Sequence, residues 1–399
     1  MLKWLRRDAS LFGLTLVLAG VAACGRGQGG GGSGSGSSSP FALRVAVGAL
    51  ETCATTASGI PKCWGYNADG QLGDGTTTNR TSPNTVIGLS DVIEIASGRG
   101  GSGGVGASCA ILQGGQTKCW GINDEGQLGD GTQTNSLAPV TVSGVSTANQ
   151  VMVGQGFACA LLSDSTIKCW GNNGLGQLGN GGAGARSLTP VTVSGISNAV
   201  SIGAGSLHAC ALLSDKTVKC WGYNGEGQLG NGNNTSQNSP VTVSGLTGVE
   251  SISVGERHVC AIVAGNALQC WGKNDVKQLW DGSTTHRNTP VSPAGVSSVS
   301  QVSSGSSRTC VIYIGGTVGC WGDNSSGLLG DGAGPTPGSP ALVGVSGIGN
   351  AKAIHAGRGY SCSVLSDDTV KCWGDNTFGQ LGDGTTTSRS TPVLVTGFP

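Results

Sequence analysis

CALLSDKTVKCWGYNGEGQLGNG, residues 210–232, places two cysteines ten positions apart across a short polar turn, then Trp-Gly, then a glycine-rich loop. The same cassette occurs seven times. Its Cys-Trp-Gly triplets begin at Cys63, Cys119, Cys169, Cys220, Cys270, Cys320 and Cys372, at spacings of 56, 50, 51, 50, 50 and 52 residues. A unit of that length cannot bury a core alone, so the units must stack on one another in a single array. Four short strands per unit account for the pattern: a Pro-led strand (PVTVSG), a second (VSIGAG), a nearly all-apolar third (ACALL) and a fourth (TVKCWG), with turn residues between them.

The ends of the array indicate closure. The first unit starts on FALRVAVG without a Pro-led strand, whereas such segments sit at Pro83, Pro139, Pro190, Pro240, Pro290 and Pro340, and a seventh from Pro392 ends the chain. Seven hairpins and seven Pro-led strands balance when the C-terminal strand joins the first blade. The expected fold is therefore all-β, a seven-bladed β-propeller of four-stranded blades spanning residues 41–399. Proline at the head of a strand forgoes no ladder bond. Blade two departs most, with a longer glycine-rich loop at 97–108 that is expected to be mobile.

Composition agrees. Glycine supplies 74 of 399 residues and only 11% are charged, which disfavours long solvated helices. Residues 1–23 read as a secretory signal, MLKWLRR followed by an apolar run ending in small residues. Without them 19 basic face 21 acidic residues, so no basic field for nucleic acid exists. Val21-Ala22-Ala23-Cys24 resembles the lipobox of bacterial lipoproteins, which implies lipidation of Cys24 and a location in the cell envelope, outside the cytoplasm. Gly25 after that cysteine implies the outer membrane in a Gram-negative organism. The Gly/Ser-rich stretch to residue 40 reads as a tether, making the lipid the sole membrane attachment.

Of 15 cysteines, 14 form pairs within the repeats and Cys24 is left over. The pairs Cys53-Cys63, Cys109-Cys119, Cys159-Cys169, Cys210-Cys220, Cys260-Cys270, Cys310-Cys320 and Cys362-Cys372 would face each other across antiparallel hairpins. In an exported chain this favours disulfides. Zinc is the weaker alternative, since zinc ligands lie two to four residues apart.

The run from a glycine through Cys-Ala-Leu to Trp-Gly-x-Asn-x-x-Gly-Gln-Leu-Gly-Asp/Asn-Gly resembles the repeat of the regulator of chromosome condensation family. The resemblance covers residues 41–399 and implies a seven-bladed propeller. The family's eukaryotic type member is a nucleotide exchange factor for a small GTPase. Other members are binding modules, among them a bacterial secreted inhibitor of β-lactamases. This chain departs from the pattern in its second cysteine and in KQLWDG (Lys277 to Gly282) of blade five.

The repeated residues read as scaffold. Trp64, Trp120, Trp170, Trp221, Trp271, Trp321 and Trp373 suit the wedge between blades; a sugar-stacking ring is the alternative, and Trp280 is expected to be exposed. The asparagines after Trp-Gly and the Asp/Asn-Gly pairs suit turns rather than calcium. Gly179 to Gly184 fits a dinucleotide fingerprint without its helix, and Gly100 to Gly104 fits a nucleophile elbow through glycine content alone. His208, His258, His286 and His355 form no triad spacing. No cofactor, metal or catalytic residue is expected, and the chain reads as a monomeric, non-enzymatic binding platform for a protein or glycan. The alternatives are an inhibitor of a secreted or periplasmic enzyme, a nucleotide exchange factor by family analogy, and a polysaccharide hydrolase or lyase. The candidate binding face lies just before each first cysteine, where the copies disagree: Phe157, His208, Arg257, His258, Arg308, Arg358 and Tyr360. These are residue types favoured at binding hot spots. The resemblance also marks His208 and His258 as a family position with a structural histidine.

Overall fold

A computed structural model describes residues 43–98, 106–334 and 341–398. It contains seven four-stranded antiparallel sheets, each running in chain order, and no helix among the described residues. In blade one the strands are Arg44–Val47, Glu51–Thr55, Pro61–Gly65 and Arg80–Thr85. The first strands of neighbouring blades stand against one another around an axis, and that of blade seven meets that of blade one. The chain is a seven-bladed β-propeller.

The blades are phased one strand away from the expectation. Each Pro-led strand pairs with the Cys-Trp-Gly strand before it, as in Cys169 opposite Val191, and forms the outer edge of that blade. The C-terminal strand Arg389–Leu394 accordingly completes blade seven, with Lys371 opposite Leu394. The C-terminus still closes the ring, by packing rather than pairing. Val395 and Phe398 are buried in one cluster with Val45 and Trp64 of blade one, the Phe398 and Trp64 rings 6.0 Å apart. Proline sits inside the outer strand instead of at its head: Pro190 lies where the register shifts, and no strand lies beyond it to require an N–H. Pro340 and most of the 97–108 loop fall outside the described residues.

Seven apolar clusters hold the ring, one at each blade junction. Between blades three and four, Phe157, Leu161, Ile167 and Leu178 meet Ile202, Ala211, Leu213 and Trp221. Every repeat tryptophan is fully buried, and its Nε1 donates to a backbone carbonyl in the loop of the preceding blade. Trp120 bonds Gln71 O at 2.9 Å, Trp170 bonds Gln127 O at 2.9 Å, and across the closure Trp64 bonds Gln380 O at 3.0 Å. Burying one such ring contributes about 4–6 kcal/mol before entropy is charged. The glycine it lies on must be small. At Gly73 (φ +65°) a Cβ would stand 2.8 Å from the Trp120 ring. Trp280 occupies that position in blade five at φ +55°, half-buried against the next junction rather than exposed.

The inner strands also satisfy their free edges through side chains. Gln150 Oε1 accepts from Ile202 N at 2.8 Å while its Nε2 donates to Ile202 O at 3.1 Å, imitating a ladder between blades. Gln301, Ser253 and Ser303 accept from Ile354, Ser304 and Ala356 in the same way. The paired cysteines stand directly opposite in register, with Cα atoms 4.0–4.1 Å apart and sulfurs at disulfide distance.

Candidate binding face

Strand direction gives the disc two unlike faces. One carries the tight hairpins between second and third strands and the connectors between blades. The other, the loop face, carries the turns between first and second strands and the long loops after Trp-Gly. Each long loop folds around its asparagine. Asn67 Oδ1 accepts from Leu72 N at 2.9 Å while Nδ2 donates to Thr76 O and Thr78 O. In blades one, five and seven an aspartate closes the loop on an arginine: Asp74 with Arg80 at 2.7 Å, Asp281 with Arg287 at 2.6 Å and Asp383 with Arg389 at 2.9 Å. These carboxylates are occupied by arginine. No cluster of three or more His, Cys, Asp or Glu side chains suited to a metal stands among the described residues.

The candidate residues do not form a surface. Phe157, His208, His258, Arg308 and Tyr360 are fully buried, each at the head of a second strand and opposite the glycine of Trp-Gly. That glycine is obligatory: at Gly374 (φ +109°) a Cβ would fall 2.7 Å from the Tyr360 Cα. From this position several of the side chains reach into the gap toward the next blade. His258 Nε2 is 2.9 Å from Thr309 Oγ1. Arg308 donates from Nη2 to Ser361 Oγ (2.9 Å) and Tyr360 O, and from Nη1 to Arg358 O (3.2 Å). Tyr360 donates its hydroxyl to Glu51 O at 2.5 Å and accepts from Thr52 Oγ1 at 2.9 Å. Only Arg257 and Arg358 reach solvent. Arg257 pairs with Glu226 at 2.7 Å; Arg358 is exposed.

Blades one and two complete this buried ring with Glu51 and Ala107. Glu51 is fully buried. Its Oε2 accepts from Leu50 N at 3.2 Å, while Oε1 has no hydrogen-bond partner and lies beside the Gly48 and Gly106 backbone. Burial pushes its carboxyl up to about 8, against a smaller opposing pull from the Leu50 N–H. Burial first, and then the nearby Glu51 charge, push the Tyr360 hydroxyl well above its usual value.

The surface ring lies one step away, at the variable residue of Trp-Gly-x-Asn, which sequence reasoning passed over. Its backbone N–H bonds the carbonyl of the neighbouring turn, so the two variable positions stand side by side: Tyr66 with Leu50, Tyr223 with Leu207, Lys273 with Arg257 and Asp323 with Ser307. The signal was present, since x is the variable letter inside an otherwise constant motif. At the junction of blades seven and one, Tyr66 meets Phe378 edge to face at 4.9 Å, and both rings are half-buried. Around them the loop face is acidic: Asp69 is pushed up by burial and then by the Asp124 charge.

A cavity of about 640 Å³ runs along the axis, lined by the first strands. It contains the Arg44–Glu94 ion pair (3.4 Å), Met152, Tyr313 and His355, so it is not a tube of small residues.

A family model described as an RCC1-like domain matches residues 21–345, and RCC1 repeat models match residues 351–380 and 367–399. The ultraviolet-B receptor UVR8 of Arabidopsis thaliana is 27% identical over 198 residues, 49% of this chain and 44% of that protein. The human E3 ubiquitin-protein ligase HERC2 is 28% identical over 191 residues, 47% of this chain and 4% of that protein. The chain thus spans less than half the length of either relative. Among solved structures, human WBSCR16 superposes with a TM-score of 0.74 at 22% identity, covering 84% of this chain and 92% of that one. Yeast RCC1 (Prp20), solved bound to Kap60, gives 0.73 at 18%, covering 90% and 85%. Those likenesses establish the fold, and the match over residues 21–345 establishes the family: the chain belongs to the RCC1-like domain family.

Proposed function

We propose that this chain is a non-enzymatic, protein-binding propeller, exported and held on a lipid at Cys24, that engages its partner with the loop face. One observation carries the reading. The chemically distinctive side chains of the ring are consumed between blades, whereas the paired variable positions Tyr66/Leu50, Tyr223/Leu207 and Lys273/Arg257 differ from blade to blade at the surface. Half-buried tyrosine and phenylalanine beside solvent-reaching arginine on a rigid scaffold are residue types enriched at protein interfaces. The relatives support a protein partner: yeast Prp20 is solved bound to Kap60, and its binding to Gsp1p and histones is the subject of another structure. Nucleotide exchange on a cytosolic GTPase is set aside by the export signal.

The test is affinity capture from the native envelope with wild type, with a Tyr66→Ala/Tyr223→Ala/Phe378→Ala variant, and with an Ile60→Ser/Ile314→Ser control on the opposite face. The expected result is a partner retained by wild type and control and lost from the loop-face variant, with unchanged circular dichroism. Retention by the folded loop-face variant refutes the assignment.

A further inference from the structure

We infer that the hairpin face is the membrane-proximal face of the disc, so that the loop face is presented outward. This rests on the lipid-anchor reading above. Arg44 opens the innermost strand of blade one, and that strand runs toward the 48–50 turn on the loop face. Residue 43 therefore sits at the hairpin-face mouth of the axial cavity, which it helps to line. The described chain thus begins on the axis, on one side of the disc only.

Reach makes that attachment polar. Eighteen residues, 25 to 42, separate Cys24 from the disc. Four strands at their usual spacing around a central cavity give the disc a radius of roughly 20–25 Å, and strands of five or six residues with their loops give it a similar thickness. Turning the loop face to the bilayer would lead the tether across a radius and down the rim, roughly 45–50 Å. Full extension of 18 residues is about 60–65 Å. That route is open only to a nearly taut chain, whereas the hairpin-down arrangement needs no extension.

Surface chemistry points the same way. The hairpin face carries the exposed Ile60 and Ile314, the latter 62% accessible. Repeated lysines line its edge, with Lys62, Lys168, Lys219 and Lys371 each reaching a connector carbonyl of the preceding blade or of the chain's end. The loop face carries Asp69, Asp124, Glu226, Glu256, Asp323 and Asp375. On the hairpin face the exposed Asp164, Asp215 and Asp367 stand beside Lys168, Lys219 and Lys371 and offset them, so an anionic bilayer repels the acidic loop face more than the near-neutral hairpin face.

The experiment uses the full-length lipidated chain in vesicles of phosphatidylethanolamine and phosphatidylglycerol. A fluorescent amino acid is placed at position 314 or 58 on the hairpin face, or at 377 or 68 on the loop face, with an acceptor on the lipid headgroups. Transfer at least threefold greater from both hairpin-face probes is expected. Equal or greater transfer from the loop-face probes, in protein that floats with the vesicles, overturns the orientation and leaves the anchor standing. Wild-type chain that fails to float, as a Cys24→Ser variant is expected to fail, overturns the anchor and the orientation together. Two probes per face guard against one label disturbing the fold.

Discussion

Replacing Glu51 by glutamine tests the least favourable burial in the ring. In the folded chain the Glu51 carboxyl is raised by burial to about 8, from 4.5 for an ordinary glutamate. Between those values the folded chain holds a proton that the unfolded chain has released, so stability falls as pH rises through this window and levels off above about 8. At 1.36 kcal/mol per unit, the full loss is roughly 5 kcal/mol. For about 350 ordered residues the unfolding entropy makes this roughly 6 °C in melting temperature. A glutamine keeps the shape without the titration. The soluble propeller from residue 41 and its Glu51→Gln variant should be melted by circular dichroism between pH 5 and pH 9. The wild type should lose several degrees that the variant does not, and the variant should be the more stable at pH 9. Parallel curves would show that the carboxyl is solvated or paired, and would refute the argument.

Acid should act oppositely on the loop clasps. Burial raises the Asp383 carboxyl, but hydrogen bonds from Thr385 and Arg389 outweigh it and hold the group below the usual carboxylate range, as they do at Asp74 and Asp281 with their own partners. Their contribution is whole above about pH 4 and drains as pH falls through the folded value, so Asp383→Asn should blunt the acid limb of the same melts. Trp170→Phe should cost about 1 kcal/mol more than Trp120→Phe in urea unfolding. Gln71 O keeps a bond from Ser108 Oγ when Trp120 is lost, whereas Gln127 O has no such second donor among the described residues; equal costs would contradict this. Cys159→Ala/Cys169→Ala should cost about 2–3 kcal/mol for its ten-residue separation, and mass spectrometry without reductant should show seven links within blades; free thiols there would overturn the pairing.

The blade count, the cysteine register and the packing role of tryptophan were legible in the sequence because each is a repeated local requirement. Phase was not. The Pro-led segment lies only a few residues from the next unit and far from the preceding Trp-Gly, so proximity along the chain suggested the wrong blade. The asparagine of each long loop, as at Asn67, folds the chain back and reverses that inference. The variable position before the first cysteine misled for another reason. Difference between copies was taken for exposure, but Arg308 differs from His258 because each meets a different neighbour, Ser361 in one gap and Thr309 in the other. In a ring of unequal blades, variation marks matched internal pairs as well as surfaces.

Six of the seven junctions are spanned by the continuous chain, and the seventh by non-covalent contacts: Trp64 to Gln380, Tyr360 to Glu51, Thr52 to Gln380, Gly384 N to Thr81 O, and Phe398 against Trp64. These partners lie more than 300 residues apart, so the circle cannot exist until blade seven and Phe398 are in place. Blades one to six can form in order along the chain, yet they remain an open arc with a raw edge at each end. Completion is a single late event decided by the final turn. A chain shortened by only its last four residues would leave Trp64 uncovered and betray itself as unfinished.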